Sequence, residues 1–136
     1  MESHLEGYIP PGVKGIAQVC EIKVVDHPKG QAVVMTAEVL TPYDYRGFQI
    51  EYIEPMYDTS TKTCAEHMTG LIIQLRMLHP VTSEKIVNNI DEVMMAIEQA
   101  RVPFNYRTWK PSLSDNVLVI WGEKTDMPSG VNDETI

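Results

Sequence analysis

The hydrophobic period of the 136-residue chain changes twice, and this change constrains the fold more than any other feature. The early segments are rich in β-branched residues or alternate apolar and polar positions, which is typical of half-buried β-strands. They span residues 16–25, 32–40 and 48–53. Turns that contain Pro and Gly separate them at 26–30 and 41–47, so we expect an antiparallel meander of three strands.

The period becomes helical between residues 63 and 100. Thr63 and Glu66 have the spacing of a capping box, which indicates a helix N-terminus. Apolar residues then recur every three or four positions as far as Leu78, and Pro80 favours an end to the helix just before it. The other predicted elements are a short helix capped by Thr82 or Ser83, a helix over 90–100, and strands over 102–109 and 116–121.

The resulting order, β-β-β-α-β-β, is that of the OB-fold, a five-stranded Greek-key barrel. We therefore predict a mainly β domain over residues 16–121 with a helical insertion at about 63–100. Residues 1–15 are expected to form a flexible N-terminal arm and 122–136 a disordered acidic tail. The predicted core consists of Val33, Met35, Val39, Phe48, Ile50, Leu71, Leu75, Phe104 and Val119.

The charge balance disfavours a protein that coats nucleic acid by bulk charge. Acidic residues outnumber basic ones by 19 to 11, which gives a net charge of −8. Any nucleic-acid role must therefore rest on a local basic patch. Two cysteines, Cys20 and Cys64, are expected to be reduced, buried thiols. No apolar stretch approaches the ~20 residues that a bilayer span needs, so we expect a cytoplasmic protein with no membrane partner.

The sequence contains no phosphate-binding glycine loop and no nucleophile elbow. Cys64 and His67 could share a helix face as metal ligands, but no second pair at ligand spacing supports them. Glu51 and Glu54 are interpreted as a solvated strand face rather than as a catalytic pair. We therefore predict a protein that is not an enzyme and that has no metal and no cofactor.

One segment, residues 101–111, combines basic and aromatic residues with no acidic residue. Single-stranded nucleic acid is bound by this combination, since cations hold phosphates and flat rings stack on unpaired bases. In a strand, Arg107 and Trp109 point the same way and could contact one nucleotide together. The alternative is that Trp109 is a partly buried edge residue and that Arg107 pairs with a carboxylate. The members of the segment are Arg101, Phe104, Tyr106, Arg107, Trp109 and Lys110.

A second basic and aromatic patch is the turn that holds Tyr43, Tyr45 and Arg46. Exposed tyrosines on a hairpin tip suit base stacking. The alternative is that Gly47 supplies the positive φ that the turn needs and that the tyrosines lie against the end of the barrel. Lys23 and Lys29 could extend either patch. Two interpretations of the tail also stay open: a frayed terminus, or a segment that competes for the basic groove or contacts other proteins.

Several short motifs resemble those of the small OB-fold single-stranded-DNA-binding proteins that bacteriophages and prophages encode. The resemblance implies sequence-tolerant binding of single-stranded DNA in phage replication or recombination, often by a homodimer. It also implies that the acidic tail contacts replication or recombination proteins. The motifs are Lys29-Gly30, Val39-Leu40-Thr41-Pro42, Tyr45-Arg46-Gly47 and the leucine-rich segment from Leu71 to Leu78.

The predicted function is non-enzymatic binding of single-stranded DNA, with RNA as the second choice of nucleic acid. A basic and aromatic groove is expected to bind it through Lys23, Lys29, Tyr43, Tyr45, Arg46, Arg107, Trp109 and Lys110. The alternative function is a protein-interaction module, such as an OB-fold adaptor or an inhibitor of a host factor. Its adaptable surface would come from Met68, Met77, Met94 and Met95.

Overall fold

The computed structural model describes residues 9–110 and 117–129. Within these ranges the chain forms five strands, three α-helices and one 3₁₀ turn. The β-rich fold predicted from the sequence is confirmed. The strands are β1 (Lys14–His27), β2 (Gly30–Thr41), β3 (Gln49–Pro55), β4 (Pro103–Trp109) and β5 (Leu118–Lys124). The helices are α1 (Cys64–Leu78), α2 (Ser83–Asn88) and α3 (Ile90–Ala100), and the 3₁₀ turn is Tyr43–Tyr45.

The five strands form one antiparallel sheet in the order β3-β2-β1-β4-β5. β1 is the central strand and pairs with β2 along most of its length. It pairs with β4 only from Lys14 to Gln18. A register shift between Val19 and Glu21 makes Cys20 an extra residue in β1, which is a β-bulge. The bulge lies where β1 separates from β4, so only the first part of β1 is paired on both sides.

One face of the sheet is buried, and alternate residues of every strand point into the core on that side. Phe104 of β4 is fully buried, and its ring stacks on Trp121 of β5 with the ring centroids 4.4 Å apart. All the predicted core residues are buried except Val119, which is partly buried against the same cluster. The strand alternation therefore identified the core correctly, because it reports directly which face of the sheet is apolar.

Helix α1 begins at the predicted capping box. The Thr63 hydroxyl accepts a hydrogen bond from the Glu66 backbone N–H at 3.1 Å, and the Glu66 carboxylate accepts one from the Thr63 N–H at 2.9 Å. The apolar stripe of α1 then packs on β3 and β5. Helix α3 packs on β1, where Glu98 Oε2 accepts a hydrogen bond from the Ile22 N–H at 3.0 Å. No helix within the described ranges is long and apolar enough to cross a lipid bilayer.

The described structure extends into both predicted terminal segments. Ile9 is buried in the core, and the Pro10 carbonyl accepts a hydrogen bond from the Thr108 hydroxyl at 2.6 Å. β5 continues to Lys124, which lies beyond the predicted start of the tail, and the Thr125 N–H donates to the Pro103 carbonyl at 2.9 Å. Sequence patterns missed these contacts because a single apolar residue and hydrogen bonds to distant strands leave no local period in the sequence. Residues 1–8 and 130–136 lie outside the described residues.

The two cysteines differ in exposure. Cys20 is half-buried at the β-bulge, and burial raises the pKa of its thiol. Cys64 is exposed at the start of α1, where its thiol donates to the Met56 carbonyl with an S–O distance of 3.3 Å. Both are free thiols, but the prediction that Cys64 is buried is wrong because the first turn of α1 faces solvent on that side.

Tyr106 connects β4 to the end of β2. Its side chain is buried, and its hydroxyl donates a hydrogen bond to the Thr41 carbonyl at 2.9 Å. Burial raises the pKa of the Tyr106 hydroxyl to about 12, and the nearby Tyr45 adds to this rise. Burial thus favours the protonated hydroxyl, which is the form that can donate the bond.

We expect the free energy of unfolding to fall as the pH rises from 10 to 12. The unfolded Tyr106 hydroxyl loses its proton near its ordinary pKa of 10, whereas the folded one keeps it until about pH 12. The fall should be shallower in Tyr106→Phe, which lacks the ionisable group. Urea denaturation at several pH values measures this dependence. Tyr43→Phe, at an exposed position, is the control expected to keep the wild-type slope; equal slopes in all three proteins would contradict the assignment.

Candidate nucleic-acid interface

The outward face of β4 carries three polar or aromatic side chains in a row. Phe104, Tyr106 and Thr108 point into the core, so the strand alternation sends Asn105, Arg107 and Trp109 to the other side. Trp109 remains 52% exposed although it is large and aromatic. Arg107 and Trp109 therefore lie on the same side of β4, as the strand alternation predicted.

The strand register brings further side chains beside this row. Lys14 of β1 lies opposite Arg107, and Ile120 of β5 lies opposite Arg107 on the other side. Trp109 lies opposite Leu118, which is 47% exposed. Paired residues of neighbouring strands point to the same face. The outward face of β1, β4 and β5 is thus an apolar surface that carries two cations, and we call it the β4 face.

A depression of about 510 Å³ lies on the β4 face. Two adjacent rows of paired residues form it. One row runs from Lys14 through Arg107 to Ile120, and the next from Thr41 through Ile16 to Asn105. Gly15, Tyr106 and Gly122 complete the lining. The sequence did not indicate Lys14, Ile16 and Ile120, because only the cross-strand register places them beside Arg107 or Asn105.

The two cations of the β4 face have no carboxylate partner within the described ranges. Neither Lys14 nor Arg107 forms an ion pair with a residue in the ranges 9–110 and 117–129. The alternative that Arg107 is neutralised by a neighbouring carboxylate is therefore not what this part of the structure shows. Both charges are exposed and available to an anion. Lys110, the other predicted cation of this segment, is exposed just beyond the end of β4.

The Tyr43–Tyr45 turn follows the end of β2 and lies next to the depression. Thr41, two residues before the turn, is part of the lining. Tyr43 is 73% exposed, whereas Tyr45 is half-buried with its ring edge-on to Phe48 at 5.9 Å. Gly47 has a φ of 94°, as the alternative interpretation of this turn required. Tyr43 therefore remains available for stacking, Tyr45 packs against the core, and Arg46 is half-buried between them and the next strand.

Lys23 and Lys29 lie at the other end of β1. Nine residues of extended strand separate Lys14 from Lys23, which corresponds to roughly 30 Å. Lys23 lies 4.0 Å from the Glu21 carboxylate, and Lys29 belongs to the turn that joins β1 to β2. The structure therefore brings the Tyr43–Tyr45 turn and Arg107 to one region but leaves these two lysines apart from it.

The outward face of β1, β2 and β3 has the opposite charge. Glu21 lies in register with Thr36 and Glu51, and Glu38 lies in register between Gln18 and Gln49. Glu38 and Glu51 point away from the core, because the adjacent residues Ala37 and Ile50 point into it. Glu21 points the same way, since it lies opposite Thr36, which is also adjacent to Ala37. A polyanion on this face would meet carboxylates. The two regions of the outward side of the sheet are thus electrostatically distinct.

A buried polar cluster near the start of α1 was not predicted. Glu54 was interpreted as a solvated residue, but it is only 6% exposed. One of its carboxylate oxygens contacts His67 Nδ1, and the other accepts a hydrogen bond from the Tyr52 hydroxyl. His67 Nε2 lies 2.8 Å from the Thr59 hydroxyl. The available signal was the position of His67 four residues before Leu71, on the buried stripe of α1, where a polar ring needs a partner.

The buried cluster connects three parts of the chain. The order carboxylate, imidazole and hydroxyl is that of a hydrolase relay. However, the Thr59 hydroxyl lies 3.3 Å from both the carbonyl and the N–H of Lys62, so it takes part in the turn that contains it. Burial of Tyr52 raises the pKa of its hydroxyl, and the hydrogen bond to Glu54 and the negative charge of Glu54 add to this rise. The hydroxyl therefore keeps its proton and donates to the carboxylate. The cluster therefore joins β3, the 59–62 turn and α1.

Comparison of the chain with protein-family models, with curated proteins and with solved structures finds no match. The residues of the β4 face and their chemistry are therefore the basis from which a function can be inferred.

We expect Glu54→Ala to lower the free energy of unfolding by about 3–5 kcal/mol, since it leaves a buried imidazole and a buried hydroxyl without their acceptor. Urea denaturation measures the change. Glu51→Ala, on the same strand but exposed, is the matched control and should shift stability by no more than about 0.5 kcal/mol. Equal stabilities of the two variants would show that the cluster does not support the fold.

Proposed function

We propose that this protein binds single-stranded nucleic acid along the β4 face and without catalysis, with DNA as the first choice of nucleic acid. The observation that carries the proposal is the exposed indole of Trp109 in the same outward row as Arg107, with Lys14 directly opposite Arg107. An exposed ring can stack on unpaired bases while neighbouring cations hold phosphates. Trp109 also lies beside the exposed Leu118 and close to the exposed Ile120, and an exposed apolar patch with polar residues at its rim is typical of an interaction site.

The charge distribution supports this choice of face. The chain carries a net charge of −8, so a polyanion is repelled by most of its surface. Lys14 and Arg107 are exceptions, since they form no ion pair with a carboxylate in the described ranges. The glutamates lie on the outward face of β1, β2 and β3. We therefore propose that the bound nucleic acid runs from the Tyr43–Tyr45 turn across the depression to Trp109 and Lys110. We expect Lys23 and Lys29 to contribute less to its affinity.

We also propose that the sheet closes into the OB-fold barrel. The position of β1 between β2 and β4 supports this, as does the approach of the edge strands β3 and β5. The rings of Tyr52 and Trp121 are 6.2 Å apart across these edges, and Ile50 and Val119 line one depression of about 240 Å³ between them. Small barrels of this type commonly bind oligonucleotides.

The resemblance to phage and prophage single-stranded-DNA-binding proteins supports the same function. It adds DNA replication or recombination as the proposed process and a homodimer as the proposed assembly. The proposed site of action is the cytoplasm of a bacterial host. The acidic segment 122–136 is the proposed contact for replication or recombination proteins, and its last seven residues, 130–136, lie outside the described residues.

One observation favours the protein-interaction module as a second candidate. Ile73 and Met77 are exposed on α1, at 51% and 36%, and they line a groove of about 550 Å³ together with Arg76. Met68 and Met95 are also exposed, whereas Met94 is buried and cannot contribute to such a surface. Affinity for oligonucleotide that depends on salt separates the two functions, since a module of this kind has no reason to show it.

We expect Trp109→Ala to weaken binding of a labelled single-stranded oligonucleotide by about 1–3 kcal/mol, or roughly 5- to 150-fold, because a stacked base loses its platform. Fluorescence anisotropy at low salt measures this, with a duplex of the same sequence as the nucleic-acid control. Trp109→Phe keeps a ring and should lose less affinity. Unchanged binding by Trp109→Ala would remove the stacking role.

The salt dependence of binding should identify the phosphate contacts. For single strands, each phosphate contact contributes about 0.7 to the slope of log affinity against log salt. We expect Arg107→Ala and Lys110→Ala each to flatten the slope by about this amount. Lys85→Ala removes one charge from the exposed surface of α2 and is the control expected to leave the slope nearly unchanged. An equal effect of all three substitutions would indicate attraction by total charge rather than contact at the β4 face.

A further inference from the structure

We propose that the depression on the β4 face is a slot for one base of the bound strand, separate from the base that stacks on Trp109. The base lies against Ile16 and Ile120, and the Asn105 amide meets its edge. This inference rests on the proposed function and names the part of the ligand that the depression takes.

The volume and lining of the depression fit a flat apolar group. Its volume of about 510 Å³ lies within the usual ~300–1,000 Å³ of small-ligand sites. Ile120 is 38% exposed, and Ile16 lies across β4 from it in the adjacent row. The backbones of Gly15 and Gly122 add no side chains to the lining. An aromatic base can therefore cover exposed aliphatic carbon on this surface, which favours its binding.

Asn105 supplies the polar contact that a base edge needs. Its side chain is exposed on β4 and lines the depression. An amide has both donors and an acceptor and can turn over to exchange them. Its NH₂ group can donate to guanine or thymine, and its oxygen can accept from adenine or cytosine. The slot should thus require a base without selecting which base.

The charges of the rim favour a nucleotide over other occupants. Lys14 and Arg107 lie side by side at one edge of the slot and have no carboxylate partner in the described ranges. A phosphate next to the bound base would neutralise them. If a second copy of this chain covered the same face by two-fold symmetry, the Lys14 and Arg107 side chains of the two copies would instead approach each other, which is unfavourable.

The distance along β4 separates the slot from Trp109. Asn105 and Trp109 are four residues apart on the same face of the strand, which corresponds to about 13 Å. One base cannot contact both side chains. The bound nucleic acid therefore follows β4 and places one nucleotide at the slot and another at the indole. Arg107 lies between Asn105 and Trp109 on the same face.

The test compares two single-stranded oligonucleotides of equal length, one of thymidines and one with the same sugar-phosphate chain but no bases. Anisotropy at low salt gives the ratio of their affinities for wild type, Ile120→Ser and Asn105→Ala. We expect the preference for the oligonucleotide with bases to fall at least about fivefold in Ile120→Ser and to fall in Asn105→Ala. Ile53→Ser, on the outward face of β3 and 53% exposed, is the matched control expected to keep the wild-type ratio.

The outcomes separate this inference from the proposed function. Absence of oligonucleotide binding by the wild type would overturn the proposed function and the slot with it. Wild-type binding with an unchanged ratio in both slot variants would overturn the slot alone. A changed oligomeric state of Ile120→Ser by size-exclusion chromatography, again with an unchanged ratio, would show that the face contacts a second copy. Thermal melting establishes that each variant is folded before its ratio is used.

Discussion

The close approach of β1 and β2 at Gly15 and Thr41 determines the geometry on which the candidate site depends. A Cβ atom on Gly15 would lie 1.9 Å from the Thr41 carbonyl oxygen, so the strands can meet there only through glycine. The same carbonyl accepts the hydrogen bond of Tyr106, which holds β4 against this point. As a result, β1 pairs on both sides here, and Lys14, Thr41 and Arg107 border one depression.

The sheet also carries opposite charges in two regions of its outward side. Strand alternation buries one side chain of every two, so each remaining side chain faces solvent on one side of the sheet. Glutamates occupy that side on β1 beyond the bulge, on β2 and on β3, whereas cations occupy it near Lys14 and Arg107. An acidic chain can in this way keep a local surface for anions while the rest of its field limits unspecific attraction.

The sequence predicted the features that depend on local periodicity and not those that depend on register. Strand alternation located the core, and the Thr63 and Glu66 pair located the start of α1. The partners of Arg107 could not be predicted, because they come from residues 93 positions before and 13 positions after it. Glu54 was misjudged for a related reason: its charge suggested solvent, and its burial depends on His67 from another element.

The contrasting environments of the two tryptophans give this protein a pair of built-in spectroscopic probes. Trp121 is enclosed and stacked on Phe104, so its indole emission reflects the integrity of the core. Trp109 is in contact with water on the β4 face, so its emission reflects what covers that face. Unfolding would shift the first indole to longer wavelength, whereas a ligand would quench the second. Occupancy and folding can therefore be followed in one unlabelled sample.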